Sequence, residues 1–469
     1  MLTYPDENPD EKQRESVDTY DVIIIGSGSG NSIPPFLDDR RIAVVERGVF
    51  GGTCLNVGCI PSKMFVLPAD VAESARHSER LGVSTDIQSV DWPSIRDRVF
   101  GRIDPIAEGG RQYRANGSPN VELIEGTATF TDTNVLDVDG RLIGAPDIVI
   151  AAGARPQIPA IAGLDAVAYH TSDTVMRLEH LPARLGIIGG GYIAVELGHV
   201  FSAYGSEVTV FNRSGQLLRG EDHEIAQRFT QVFANRVDLR LNTLPDRVDE
   251  RDGAIVLSVD GATIEVDELL VATGRIPNSD LLHVEAAGLP LTDDGQIVVD
   301  DTMATPVPGI WALGDVANPY QLKHLANTEA KVAFWNLAHP DDLRRVDYRA
   351  VPHAIFSGPQ IAGVGLTEAE AADRGIDVVV GRRDYGSTAY GWALEDTTSF
   401  AKVLIERSSR LLVGAHIIGP QAASIIQPLI QAMQFRQRAD EVANDVFYIH
   451  PALTEVVENA LLDGLEQVH

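Results

Sequence analysis

Apolar and polar positions along the chain fall into short runs that predict alternating buried strands and helices. The polar Asp21 opens the apolar run Val22 to Ile25, which breaks into the turn Gly26-Ser27-Gly28-Ser29-Gly30. A second apolar strand, Ile42 to Val45, ends in Glu46. This order predicts a βαβ nucleotide unit: glycines let the backbone approach a pyrophosphate at a helix N-terminus, and Glu46 is placed to accept hydrogen bonds from an adenosine ribose. Asn31 stands at the third glycine position and Pro34 and Pro35 follow, so the pattern predicts a shortened first helix with Asn31 as its cap.

The same pattern returns downstream. Leu185 to Ile188 leads into Gly189-Gly190-Gly191-Tyr192-Ile193-Ala194, then a helical stretch and the strand Glu207 to Phe211. Two dinucleotide sites are implied. The second strand runs on into Asn212 and Arg213, with Arg219 nearby, where an acid would favour a free ribose 2′-OH. A cation in place of the acid points to NADPH rather than NADH. Two near-identical phrases, Ile148 to Pro156 and Leu269 to Pro277, share an A-x-G-x-x-P ending and are expected where the chain crosses between nucleotide domains. From about Asp347 onward the pattern changes to strands at 401–405 and 412–417 followed by amphipathic helix, an α+β unit expected to form an interface.

Composition narrows the partners. The formal net charge of −29 argues against nucleic acid or an anionic membrane surface, and no apolar window long enough for a membrane span occurs. The polar, acidic start reads as a frayed leader over 1–20, without the basic start and apolar middle of a signal peptide. Of the 38 basic residues only Lys12, Lys63, Lys323, Lys331 and Lys402 are lysine. Acidic excess with scarce Lys fits adaptation to high salt, and equally a GC-rich genome that encodes Arg in place of Lys.

The 469 residues hold only two cysteines, Cys54 and Cys59, within Gly51-Gly52-Thr53-Cys54-Leu55-Asn56-Val57-Gly58-Cys59-Ile60-Pro61-Ser62-Lys63. Two thiols are too few for a disulfide framework or a structural zinc site, so no metal is expected and the pair reads as redox chemistry in the cytoplasm. Five steps on a helix turn about 140°, so a bridge between them requires locally distorted, reducible geometry. Two inert thiols are the alternative.

With these segments in view, the chain resembles the FAD-dependent pyridine nucleotide disulfide oxidoreductases, the family of glutathione reductase, dihydrolipoamide dehydrogenase, mercuric reductase and mycothione reductase. Trp311-Ala312-Leu313-Gly314-Asp315 and His450-Pro451-Ala452-Leu453-Thr454-Glu455 extend the resemblance over nearly the whole length. It implies an α/β fold with two Rossmann-like domains, for FAD (21–155 and 280–345) and NAD(P)H (156–279), and a C-terminal α+β dimerisation domain (346–469). It also implies that Gly26, Gly28, Glu46, Thr53, Lys63, Ala128 and Asp315 hold FAD, and that Gly189, Gly191, Ala194, Arg213 and Gly274 hold the nicotinamide cofactor. Tyr192 would cover the empty nicotinamide pocket or serve as ordinary packing. Glu196 would pair with Lys63.

By the same resemblance, Cys54 and Cys59 form the redox disulfide, His450 is its acid–base partner, Glu455 orients that ring, and a homodimer completes each site with the other subunit's His450. The expected substrate is a small-molecule disulfide. Segments such as 26–32, 100–106, 169–177 and 390–397 resemble the mycothione reductase branch, while the acidic surface fits a bis-γ-glutamylcystine reductase equally well. NAD-dependent dihydrolipoamide oxidation and a non-catalytic flavin- and nucleotide-binding role are the alternatives.

Overall fold

The computed structural model describes residues 17–468, so most of the expected leader lies outside the described residues. Its last part is not frayed: Asp18–Thr19 pairs in parallel with Ile143 and Gly144, and Tyr20 is buried. The backbone hydrogen bonds of this edge offset the ordering cost that the acidic composition alone suggested would prevail.

The described residues fold into two compact units, one holding those up to 54, 105–155 and 276–346, the other 55–104, 156–275 and those from 347 on. In the first, a parallel sheet runs in the order Ile310–Ala312, Asp147–Ile150, Val22–Ile25, Ile42–Glu46, Val121–Glu125. Val22 to Ile25 are all buried, as expected of a central parallel strand covered on both faces. An antiparallel meander, Ala128–Asp132, Val135–Val138 and Arg141–Gly144, completes this unit and packs Phe130, Leu136 and Ile143 into one core with Ile23, Val45 and Ile148.

The second unit holds the second nucleotide-type sheet, in the order Asp238–Leu241, Glu207–Asn212, Arg184–Ile188, Glu268–Val271, all parallel. It also holds a five-stranded antiparallel sheet, Pro352–Ile355, Ile361–Gly365, Leu412–Ile418, Phe400–Glu406 and Val378–Asp384, on which the helix Thr454–Glu466 packs. The α/β class with two Rossmann-like sheets and a C-terminal α+β part is therefore as expected.

The chain passes between the units five times, and two of these crossings, Arg155/Pro156 and Arg275/Ile276, fall inside the two repeated phrases. Residues 55–104 were expected beside the first sheet; they lie in the second unit. Phe65 of helix Cys59–Arg76 stacks on Trp92, 5.2 Å between rings, and Trp92 meets Phe201 of helix Tyr192–Tyr204 at 5.4 Å. Burying these rings outweighs proximity in sequence. Among the described residues no helix is long and apolar enough to cross a membrane.

Candidate functional site

In the first unit, Gly26 sits at φ +102°, and a Cβ there would lie 2.4 Å from the carbonyl oxygen of Ala151, so only glycine fits between neighbouring strands. Glu46 closes over the turn. Its Oε2 accepts from the Ser27 N–H (2.9 Å) and Oγ–H (2.6 Å), and its Oε1 from the Gly48 N–H (2.8 Å). The expected shortened α-helix is absent. Two 3₁₀ turns, Ser29–Asn31 and Pro35–Leu37, take its place, and Asn31 caps nothing: its Oδ1 accepts from Arg114 Nε (2.7 Å). The prolines deny the segment the N–H groups a longer helix needs.

Asp315 stands in the 3₁₀ turn Gly314–Val316. That turn is fixed by Glu329, 1% exposed, which accepts from Gly314 N–H (2.8 Å) and Asn318 Nδ2 (2.9 Å). Ala128 is buried at the start of its strand, and Thr53 is exposed on the short helix Gly52–Asn56. Sequence reasoning missed Lys323, whose Nζ donates to Ser29 Oγ at 2.9 Å and so sets a positive charge at the Gly-rich turn. A turn that excludes side chains, an acid at the strand end and a cation beside it fit a dinucleotide's ribose and pyrophosphate.

The two cysteines lie on different helices. Gly52–Asn56 carries half-buried Cys54, Cys59–Arg76 begins with exposed Cys59, and the break falls at Val57-Gly58, where Gly58 has φ −124°, ψ −119°. One regular helix would have turned the side chains apart. Lys63 lies one helical turn beyond Cys59 on the same face. Its Nζ donates to Glu196 Oε2 at 2.7 Å and lies 4.9 Å from the Phe356 ring centroid. Glu196 is 4% exposed, and its second oxygen accepts from Phe356 N–H at 2.8 Å. The structure thus brings Lys63 and Glu196 together.

The second Gly-rich turn repeats the first. Gly189 has φ +140° and no room for a Cβ, which would lie 2.2 Å from Ala272 O; above Gly191 nothing lies within 4 Å. The 13-residue helix Tyr192–Tyr204 starts there, with Tyr192 43% exposed and Ala194 buried. An open approach to a helix N-terminus fits a pyrophosphate. Strand Glu207–Asn212 ends at exposed Arg213, and Arg219 lines a cavity of about 710 Å³ together with Ser214, Gln216, His223 and Thr367. Gly274 is exposed at φ +123°, beside Gln157.

Near the C-terminus, His450 Nδ1 and Glu455 Oε1 are 2.7 Å apart. The imidazole is 72% exposed and the carboxylate only 16%. Glu455 Oε2 is buried without a hydrogen-bond partner among the described residues. Burial, and then the charge of Glu455, push the neighbouring Glu458 carboxyl up. Close to His450 in sequence, Phe447 is wholly exposed and Ile449 76% exposed, apolar surface of the kind that partners cover.

The family described as pyridine nucleotide-disulphide oxidoreductase matches residues 20–335, and its dimerisation domain matches 351–461. A mycothione reductase of Mycobacterium tuberculosis (strain CDC 1551 / Oshkosh) is 48% identical over 464 residues, covering 95% of this chain and 99% of that protein. A dihydrolipoyl dehydrogenase of Geobacillus stearothermophilus is 32% identical, over 94% and 95% of the two chains. Among solved structures, the HOCl-induced flavoprotein disulfide reductase RclA from Escherichia coli aligns with a TM-score of 0.83 at 28% identity, covering 96% of this chain and 100% of that one.

Proposed function

Because the chain belongs to the pyridine nucleotide-disulphide oxidoreductase family, we propose that it reduces the disulfide of a small thiol, mycothione, with electrons from NADPH through a Cys54–Cys59 redox couple. The enzyme is a flavoprotein thiol-disulfide reductase whose cofactors are FAD and NADPH. The observation that carries the reading is the helix break at Gly58, which separates the chain's only two thiols onto two helices one turn short of the Lys63–Glu196 pair.

Residues 21–155 and 280–345 would form the FAD domain, with Gly26, Gly28, Glu46, Thr53, Lys63, Ala128 and Asp315 as its ligands. Residues 156–279 would take NADPH through Gly189, Gly191, Ala194, Arg213, Arg219 and Gly274, with Tyr192 as a movable cover. FAD supplies the two-electron link between a hydride donor and a disulfide. Glu196 would hold the Lys63 ammonium in place.

The protein's own chemistry is thiol–disulfide exchange. The Cys54 thiolate attacks one sulfur of the substrate, forming a mixed disulfide and expelling the first thiolate; the Cys59 thiolate then attacks Cys54 Sγ, expelling the second and closing the Cys54–Cys59 bond. His450 gives its proton to the leaving thiolate, and Glu455 holds the ring by Nδ1, leaving Nε2 for that transfer. One NADPH, one proton and one disulfide give NADP⁺ and two thiols. The exposed ring and the apolar surface at Phe447 and Ile449 support a homodimer in which His450 of the partner subunit completes each site. The cytoplasm, where thiols are kept reduced, is the compartment this chemistry suits.

The test is NADPH and NADH oxidation by the FAD-loaded protein, in low and multimolar salt, with mycothione, bis-γ-glutamylcystine, oxidised glutathione and lipoamide. NADPH-dependent turnover dominated by mycothione is expected. Dominance of bis-γ-glutamylcystine would replace the thiol and keep the mechanism. NAD-linked turnover of lipoamide alone would overturn both cofactor and substrate.

A further inference from the structure

The strand that would present a ribose-reading acid ends in Asn212, 5% exposed, and the segment after it is built on that side chain. Asn212 Nδ2 lies 2.9 Å from Ser214 O, 2.9 Å from Gln216 O and 3.1 Å from Ser214 Oγ, so its two hydrogens serve three acceptors. Its Oδ1 abuts the second Gly-rich turn: a Cβ on Gly190 would sit 2.5 Å from it. The backbone repeats the link, since Leu218 N–H donates to Gly190 O at 2.8 Å. The far end of the segment is tied down as well. Asp222 and Lys402, each 1% exposed, are 3.0 Å apart, and Glu221 meets His353 at 2.8 Å.

The arm 213–220 is thus fastened at both ends, and it carries exposed Arg213 together with Arg219 on the cavity wall. We propose that Asn212 is a positioning residue for dinucleotide specificity, holding this arm against the Gly-rich turn so that its arginines meet a 2′-phosphate. The proposal rests on the NADPH reading above and adds a cause to it. The missing acid is not only one negative charge fewer: a carboxylate offers acceptors alone, and here it would face two carbonyls and a hydroxyl and release the arm. Preorganisation of this kind shows as affinity, because the arm does not have to be ordered on binding.

The test is calorimetric titration of the FAD-loaded enzyme with 2′-phospho-ADP-ribose and with ADP-ribose, for the wild type, Asn212→Ala and Gly190→Ala. Asn212→Ala changes no charge, so it separates positioning from repulsion. The wild type should prefer the phosphorylated ligand, and Asn212→Ala should lower that preference about tenfold, the equivalent of one net hydrogen-bonded anchor. ADP-ribose affinity should hold within about threefold. Gly190→Ala, whose Cβ must displace the Asn212 amide, should lower the same ratio and serves if Asn212→Ala does not fold. An unchanged ratio in the variants, whether both affinities hold or fall together, would overturn the proposal. A wild type with no preference would instead sink the NADPH reading beneath it.

Discussion

Replacing Glu455 tests whether the His450 ring works because it is held. The bond at stake is one Nδ1···Oε1 contact of 2.7 Å to a carboxylate that is mostly buried and fixed in the first turn of helix Thr454–Glu466. A hydrogen bond to a charged group contributes about 1.5–3 kcal/mol, which at 1.36 kcal/mol per decade is about 10- to 150-fold in rate. In a single chain the ring is 72% exposed, so water competes and the lower end applies. Covered by a second subunit, the upper end does.

Glu455→Gln keeps an acceptor for Nδ1–H and loses only the charge, and neutral hydrogen bonds are about half as strong. We therefore expect kcat for disulfide reduction to fall about 10- to 150-fold in Glu455→Ala and distinctly less in Glu455→Gln. The assay is stopped-flow in two halves: NADPH oxidation before any disulfide is added, then thiol release after it. Only the second half should slow, because in the proposed mechanism His450 acts on the departing thiolate. Turnover in Glu455→Ala within twofold of wild type, or equal slowing of both halves, would refute the orienting role.

Other outcomes follow from the same geometry. Lys402→Met should destabilise the protein by about 3–5 kcal/mol in urea unfolding, because Asp222 is left charged and buried, and Lys402→Met with Asp222→Asn should recover most of the loss. The Lys402 hydrogen bonds hold Asp222 below the usual carboxylate range against the opposing effect of burial. Its contribution is therefore full above about pH 4 and is lost as pH falls through the lowered value, so Lys402→Met should flatten the acid limb of a stability–pH curve. Glu196→Gln should leave the fold intact while weakening the hold on Lys63, and if Lys63 serves the flavin as proposed the flavin absorption spectrum should shift; an unaltered spectrum counts against that role. Iodoacetamide should modify Cys54 only after NADPH is added, as mass spectrometry would show, and modification without NADPH would exclude a resting disulfide.

Local signals were legible where their cause is local. The strand-turn phrases at Gly26 and Gly189 declare themselves because a buried run followed by glycines leaves the backbone few alternatives. The break between the cysteines was foreseeable from helical geometry, although its site at Gly58 was not. Partners from other segments left no trace, such as Glu329 under the Gly314 turn and Lys323 on Ser29 across 294 residues. Lys63 and Glu196, 133 residues apart, were paired through family resemblance and not through spacing. The grouping of residues 55–104 with the second compact unit left no sequence signal for a related reason. Amphipathic helices declare an apolar face, and nothing in that face names the core receiving it.

The scarcity of lysine takes on a different meaning once the survivors are placed. Of the four described lysines only Lys331 is exposed on an outer helix face; Lys63 serves Glu196, Lys323 serves Ser29 and Lys402 is buried against Asp222 with Glu224 and Glu368 around it. An ammonium is a compact point charge with three donors, whereas a guanidinium needs a planar, forked setting. Lys402 meets acceptors on three residues at 2.7–3.0 Å, a spread that one flat fork does not reproduce. The setting of Lys402 therefore suits a compact charge with several donors better than a planar fork.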